Sequence, residues 1–266
     1  MQFALNYSLA AAKLFQERRI QIDLFKCPDW DDAVAEASRI APVYVHFRYQ
    51  AGRGEIDPSG FERVEHLLEI TETAFVNTHF SPLAVLTGEP PDVELAVNEA
   101  KKDLRLLGDR FGIERVTVEN IPWLSFEPRF STVVASTGAL GRVIRESGAG
   151  LLLDIAHARL AAENMSMSAK DYIMELPVDR LREVHVTGVG PRAQGGRIDH
   201  MPMTAEDWEL FDWTIDQIRS GCFAEPQVVT CEYGGIGEPF ASNTSEEVLR
   251  EQIPRMYDRV KSRRVR

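Results

Sequence analysis

Short apolar or β-branched runs alternate along the chain with segments in which apolar residues recur three and four positions apart. One segment of the second kind carries Phe61, Val64, Leu67 and Leu68 on one side of a predicted helix. Eight runs of the first kind are predicted to be strands: Phe3–Tyr7, Gln21–Phe25, Val43–Phe47, Phe75–Phe80, Arg115–Glu119, Leu151–Ile155, Glu183–Thr187 and Val228–Glu232.

Strands that alternate with helices pair in parallel, and eight such units in about 250 residues are typical of a closed barrel rather than an open sheet. We therefore predict an α/β protein with a single (β/α)8, or TIM, barrel domain over residues 1–266. Asp57-Pro58 predicts the start of the third helix, and Ser147 to Gly150 predicts a helix end before the sixth strand. Gly188–Met203 is expected to be a long loop after the seventh strand.

Composition narrows the class of protein. The 41 acidic and 30 basic residues give a net charge of −11, which argues against nucleic acid as a bulk partner. No run of about 18 apolar residues exists, so no membrane span is expected. The three cysteines are widely spaced and form no CxxC pair. With no recognisable signal peptide, a reducing cytoplasmic location is expected.

Ionisable side chains cluster at or just beyond the predicted strand ends. Five of the six histidines belong to this group. Because parallel strands in a barrel direct their carboxyl ends to one mouth, these residues are expected to converge, although each alone would usually be a structural histidine or a helix cap. The nine candidates are His46, His79, Glu119, Asp154, His157, His185, Asp199, His200 and Glu232.

Four carboxylates and five imidazoles in one mouth would repel or remain unpaired unless cations neutralised them. Nitrogen and oxygen donors without thiolates suit Zn, Mn or Fe(II). Nine candidate ligands exceed the four to six that one ion needs, so the sequence predicts two or three divalent ions. Glu119 is the best candidate for a bridging ligand, because it lies between the ligands of the fourth and sixth strands.

These residues resemble those of the xylose isomerase-like superfamily over nearly the whole chain. Its sugar isomerases and epimerases hold one ion with a set that here corresponds to Glu119, Asp154, His185 and Glu232. Its endonuclease IV branch adds further ligands, which here correspond to His46, His79, His157, Asp199 and His200. In that branch the last pair is spaced Asp-x-His, whereas Asp199 and His200 are adjacent.

Two stretches resemble a different branch more closely, the multinuclear non-heme iron-dependent oxidative enzymes. They are residues 171–188, which include DYIMELP and DRLREVHVTG, and residues 198–203, IDHMPM. Members of that family use a di- or tri-iron centre and O₂ to modify cysteine residues of peptides, often with a partner protein that presents the peptide. The resemblance implies iron as the favoured metal, a peptide or thiol-containing substrate and such a partner.

Several functions stay open on the sequence alone. An iron-dependent oxidative enzyme is favoured. A divalent-metal sugar isomerase or epimerase is the first alternative, in which Glu119 or Glu232 would move a proton. A phosphodiesterase similar to endonuclease IV is the second, and the acidic charge counts against it. A metal-binding protein without catalysis is the least favoured, because open metal sites in barrel mouths are generally catalytic.

Overall fold

The computed structural model describes residues 1–82, 92–124, 133, 135–192 and 195–262. Its strands are β1 Gln2–Asn6, β2 Leu24–Pro28, β3 Val43–His46, β4 Tyr49–Ala51, β5 Val76–Phe80, β6 Val116–Glu119, β7 Gly150–Asp154, β8 Leu181–Val186, β9 Gly188–Pro191, β10 Arg197–Met201 and β11 Val228–Cys231. Its helices are α1 Leu9–Gln16, α2 Asp31–Ser38, α3 Phe61–Thr71, α4 Val93–Phe111, α5 Thr137–Ser147, α6 Ile155–Asn164, α7 Ala169–Glu175, α8 Ala205–Ser220, α9 Phe240–Asn243 and α10 Glu246–Lys261. In this part of the chain no helix is long and apolar enough to cross a membrane.

The main sheet is parallel and has the strand order β3-β2-β1-β11-β8-β7-β6-β5-β4. Its two edges, β3 and β4, come from one stretch of chain interrupted only by Phe47 and Arg48. The first half of that stretch pairs with β2 and the second half with β5. The third predicted strand, Val43–Phe47, contains only the first of these edges, and β4 follows it as a separate short strand. Because two residues of chain connect the two edges of the curled parallel sheet, the predicted α/β barrel is confirmed.

The predicted second strand was wrong in its position. The chain from Gln21 to Asp23 is a connection, and the strand runs from Leu24 to Pro28. Ile20 and Ile22 are apolar because the connection that contains them is buried, and not because they belong to the strand. The strand is determined instead by its pairing with β1 and β3, and it includes the buried side chain of Lys26.

The predicted loop Gly188–Met203 was also wrong, because it contains the antiparallel hairpin formed by β9 and β10. The hairpin packs closely on the following segment: a Cβ atom at Gly188 would lie 2.1 Å from the carbonyl oxygen of Pro202. Two local predictions are confirmed. Asp57 caps a short 3-10 turn that leads into α3 at Phe61. Helix α5 ends at Ser147, followed by Gly148 in the left-handed region with φ +87°.

The barrel interior is more polar than usual, since TIM barrels are commonly filled by branched apolar side chains. Ala4, Leu24, Tyr44 and Val228 form a small apolar layer at the amino-terminal end of the strands. The ionisable cluster lies at the carboxyl ends of the strands. Further buried polar residues lie on strands around the barrel: Asn77 on β5, Thr117 on β6, Glu183 on β8 and Thr230 on β11.

Candidate metal centre

The structure brings the predicted site residues to the carboxyl end of the barrel. Seven of them sit at the ends of the main-sheet strands or in the first turn of α6: His46, His79, Glu119, Asp154, His157, His185 and Glu232. All seven are buried except His79, whose side chain is 17% exposed. The other two, Asp199 and His200, come from β10 of the hairpin that covers this end.

Glu119 occupies the middle of the cluster, and its two oxygens face different histidines. Oε2 lies 3.2 Å from His79 Nε2 and 3.8 Å from His46 Nε2. Oε1 lies 3.3 Å from His157 Nδ1 and 3.9 Å from His185 Nδ1. This carboxylate thus lies between two pairs of imidazoles, where a bridging ligand would lie, and its bridging role stays a prediction.

Three sets of three residues in the described chain place one potential ligand atom each within 4.8 Å of one another. Glu119 and Asp154 each belong to two sets, so ions in neighbouring sets would share a carboxylate. The sets are His46 with Glu119 and His185, Glu119 with Asp154 and His157, and Asp154 with His185 and Glu232.

The donor atoms fit divalent cations. Among the described residues six buried side-chain atoms have no hydrogen-bond partner, and five of them lie in this cluster. They are His46 Nδ1, Glu119 Oε2, Asp154 Oδ2 and both ring nitrogens of His185. Buried polar atoms almost always have a hydrogen-bond partner. Several nitrogen and oxygen atoms without such a partner, gathered in one cluster, therefore indicate a site suited to cations.

The electrostatics of the cluster also favour metal binding. Burial holds the pKa of His46 and His185 well below the ordinary value, so both imidazoles are neutral and able to donate a lone pair at pH 7. Burial raises the pKa of Glu119, but the neighbouring histidines, His79 first, more than reverse this and hold it well below its usual range. Burial raises the pKa of Asp154 to about 6.

His157 is held in a fixed orientation. Its Nδ1 lies 2.8 Å from the carbonyl oxygen of Asn120, and its Nε2 lies 2.8 Å from Asp199 Oδ2. Burial lowers the pKa of this imidazole, but the carboxylates of Asp154 and Asp199 raise it well above the usual value. A ring placed between carboxylates attracts a cation, whether a proton or a metal ion. The side chain of Asn120 brackets Asp154 by hydrogen bonds of 2.9 Å to its backbone N–H and C=O.

His200 lies further out than the other predicted ligands. Its Nδ1 faces the carbonyl oxygen of Glu232 at 2.9 Å, and its ring packs against Phe240 at a centroid distance of 4.7 Å. Its Nε2 lies 3.7 Å from Asp199 Oδ2. Like His79 and Asp199, His200 belongs to none of the three sets found among the described residues, and its contacts with Glu232 and Phe240 place it at the rim. Its role as a ligand stays a prediction.

A cavity of about 370 Å³ opens directly above the cluster. His46, His79, Glu119 and His157 form part of its floor, while Trp30 and Phe240 supply aromatic walls. Arg48 lines this cavity and also a neighbouring one of about 630 Å³. The cluster is therefore accessible to a substrate from the mouth of the barrel.

Sequence reasoning missed two buried ionisable residues of the interior. Lys26, on β2, forms an ion pair with Glu232 Oε1. Glu183, two residues before His185 on β8, places Oε2 3.8 Å from His185 Nε2 and accepts a 2.9 Å hydrogen bond from Asn77 Nδ2. Strand alternation could have found Glu183, because residues two apart on a strand share a face.

The chain is similar in sequence to one protein family and to several individual proteins. Residues 51–224 match the family described as "RiPP precursor modification enzyme MbnB/TglH/ChrH". The chain is also 26% identical over 132 residues to a UPF0276 protein of Caulobacter sp. (strain K31), and 30% identical over 130 residues to one of Acaryochloris marina (strain MBIC 11017). These matches cover 48% of the chain, and 47% and 45% of the two relatives, respectively.

Solved structures resemble the chain in fold at low sequence identity. An IolI protein with a bound zinc atom has a TM-score of 0.62 at 14% identity, with 99% of this chain and all of that one covered. D-psicose 3-epimerase from Clostridium cellulolyticum H10 has a TM-score of 0.57 at 10% identity, with 98% of each chain covered. Endonuclease IV from Thermus thermophilus has a TM-score of 0.53 at 14% identity, with 91% of this chain and 96% of that one covered.

The structural resemblances show the α/β barrel fold, and the family match extends over 174 residues of the same chain. The cluster of histidines and carboxylates described above lies largely within that matched range. This chain therefore belongs to the MbnB/TglH/ChrH family of RiPP precursor modification enzymes.

Proposed function

We propose that this protein is a multinuclear non-heme iron enzyme that uses O₂ to modify a cysteine residue of a ribosomally made peptide. The observation that carries the proposal is the placement of Glu119, whose two oxygens face two separate pairs of imidazoles. A bridging carboxylate with histidines on both sides is the arrangement that two closely spaced ions require. Family membership supports a peptide substrate.

The candidate ligands would form two groups, one for each of two ions. His46 and His185 would hold one ion with Glu119, and His79 lies 3.2 Å from the same carboxylate. Asp154 and His157 would hold a second ion with Glu119. Iron held by these residues would supply redox chemistry with O₂. Because the imidazoles of His46 and His185 are neutral and buried, they can bind an ion without first losing a proton.

The volume of the cavity limits the size of the substrate group that could reach the cluster. At about 370 Å³ it has room for one or two side chains of a peptide rather than a folded domain. Trp30 and Phe240 would pack against apolar atoms of the peptide, and Arg48 at the junction of the two cavities would face its backbone or an acidic side chain. The rest of the peptide would lie outside the barrel, where a partner protein that presents it could act.

A sugar epimerase is a second candidate, because Glu119, Asp154, His185 and Glu232 also form the set that holds one ion in that class. It would need one Mn or Mg ion and a pair of carboxylates to move a proton. His46, His79 and His157 would then have no metal ion to bind. The presence of these three further imidazoles next to Glu119 favours the multinuclear function.

The two candidates differ in a direct experiment. Metal-free protein is loaded separately with Fe(II), Mn(II) or Zn(II), and O₂ uptake is followed with a cysteine-containing peptide and with the same peptide carrying serine instead. The proposal expects uptake with Fe(II) and the cysteine peptide alone, with a corresponding mass change in the peptide. Ketose–aldose or epimer interconversion with Mn(II), without O₂ uptake under Fe(II), would overturn it. A candidate partner is tested by adding it to the same assay.

A further inference from the structure

Lys26 brings a positive charge into the centre of the cluster. It projects from β2, and its side chain is only 8% exposed. The ammonium Nζ pairs with Oε1 of Glu232, whose side chain is 7% exposed. The two residues are 206 positions apart in the chain, and the contact arises because β2 and the strand before Glu232, β11, both pair with β1.

The same carboxylate belongs to a metal-ligand set. Glu232 Oε1 lies 3.1 Å from His185 Nδ1, and these two residues form the third set together with Asp154. An ammonium group and a metal ion both need the lone pairs of that oxygen, and two cations held against one buried carboxylate repel each other. The other two ligand sets contain no atom of Glu232. The charge of Lys26 therefore affects the ion position formed by Asp154, His185 and Glu232 more directly than the other two positions.

The charges around Lys26 explain why a lysine is tolerated at this depth. Its Nζ is in ion-pair contact with the carboxylate of Glu232, and the carboxylates of Glu119, Glu183 and Asp154 attract the same ammonium group. A buried ammonium is stable only next to carboxylates, and Glu232 provides the direct contact.

We infer that Lys26 is a resident cation that competes with a metal ion for Glu232 and limits the cluster to two tightly bound ions. The inference rests on the metal-binding part of the proposed function and does not depend on the redox reaction. It makes Lys26 a positioning residue that acts through Glu232. The two positions that share Glu119 would be filled first, and the position formed by Asp154, His185 and Glu232 would bind its ion weakly.

The test is zinc binding by Lys26→Met, which removes the charge and keeps an unbranched side chain. Metal-free protein is titrated with Zn(II) against a chromophoric chelator, and the bound metal is checked by elemental analysis. We expect two zinc ions per chain in the unmodified protein and three in the variant. The third ion should bind at least about tenfold more tightly in the variant, because a like charge has been removed from beside its ligand.

Two control variants isolate the charge at this position. Lys26→Arg keeps the cation and should retain two ions. Lys13→Met removes a lysine that pairs with Glu246 on the surface, at 2.8 Å, and should also retain two. Lys26→Gln is measured in parallel, so that a folding defect in one variant, seen by circular dichroism, does not decide the result.

The outcomes separate the inference from the proposed function. Weaker zinc binding, or an unchanged count and affinity in both neutral variants, would overturn the role of Lys26 while leaving the metal centre intact. Unmodified protein that binds no zinc and no iron would instead overturn the metal centre itself. Three tightly bound ions in the unmodified protein would also contradict the inference.

Discussion

At the scale of single residues, the centre depends most on Glu119. It is 1% exposed, and it is the carboxylate that four histidines approach within 4 Å. Against the lowering effect of burial, its carboxylate also contributes, after Asp154 and Asp199, to holding the pKa of His157 above its usual value. A change confined to this side chain is therefore expected to affect more than one ion position.

Replacing Glu119 with Gln should lower the bound metal by at least one ion per chain. Gln keeps the size of the side chain and one carbonyl oxygen, but it loses the charge and the second anionic donor that a bridge requires. Elemental analysis of protein purified without oxygen measures the ratio. Glu99→Gln is the matched control, since Glu99 pairs with Lys102 at 2.6 Å on the surface of α4. An unchanged ratio in the Glu119 variant would exclude the bridging role.

At the scale of elements, the hairpin that carries Asp199 and His200 is attached to the barrel through the start of α8. Asp207 forms a capping box with Thr204 and accepts a hydrogen bond from the N–H of Val189 at 3.3 Å. Its other oxygen pairs with Arg159 of α6, whose side chain is 7% exposed. The same guanidinium also pairs with Glu206, whose carboxylate is 76% exposed. These contacts tie the hairpin, α6 and α8 together.

Replacing Asp207 with Ala should lower the free energy of unfolding by about 3–5 kcal/mol, because it leaves the buried charge of Arg159 without its buried partner. Glu206→Ala removes an exposed partner of the same arginine and should cost about 1 kcal/mol or less. Urea denaturation of both variants gives the comparison. Equal losses in the two variants would contradict the anchoring role of Asp207.

At the scale of the whole molecule, the charged interior of the barrel makes stability depend on pH. Glu183 is 1% exposed, and burial raises its pKa from 4.5 to about 7. The folded protein thus retains a proton that the unfolded chain releases above about pH 4.5. Since the unfolded state binds fewer protons in this window, stability should fall as pH rises from 4.5 to 7 and then level off.

Glu183→Gln should remove this contribution. In chelator-treated protein, the stability of the variant relative to the unmodified protein should increase between pH 4.5 and pH 8, by at most about 3 kcal/mol. Asp154, with a pKa raised to about 6, contributes a slope of the same sign. It is present in both proteins, so the difference isolates Glu183. Urea denaturation across this pH range measures the effect, and a constant difference between the two proteins would refute the prediction.

The sequence by itself was sufficient for the barrel and for the convergence of its ionisable residues. The barrel follows from local patterns, because the periodicity of apolar residues distinguishes strands from helices within a short stretch of chain. The convergence follows from the barrel, because its parallel strands all end at one mouth. His79, Glu119 and Asp154 could therefore be assigned to one cluster before any distance was known. The end of α5 at Ser147 was predictable for the same reason, since Gly148 supplies the left-handed conformation locally.

Only the tertiary structure decided which atoms meet. The position of β2 depends on pairing with β1 and β3, so the strand begins at Leu24 rather than at Gln21, where the apolar pattern predicts its start. Lys26 reaches Glu232 because β1 pairs with β2 on one side and with β11, from the far end of the chain, on the other. The direction of each Glu119 oxygen likewise depends on side chains from four other strands and helices. Contacts between residues far apart in sequence follow from the packing of the whole fold, which no local pattern encodes.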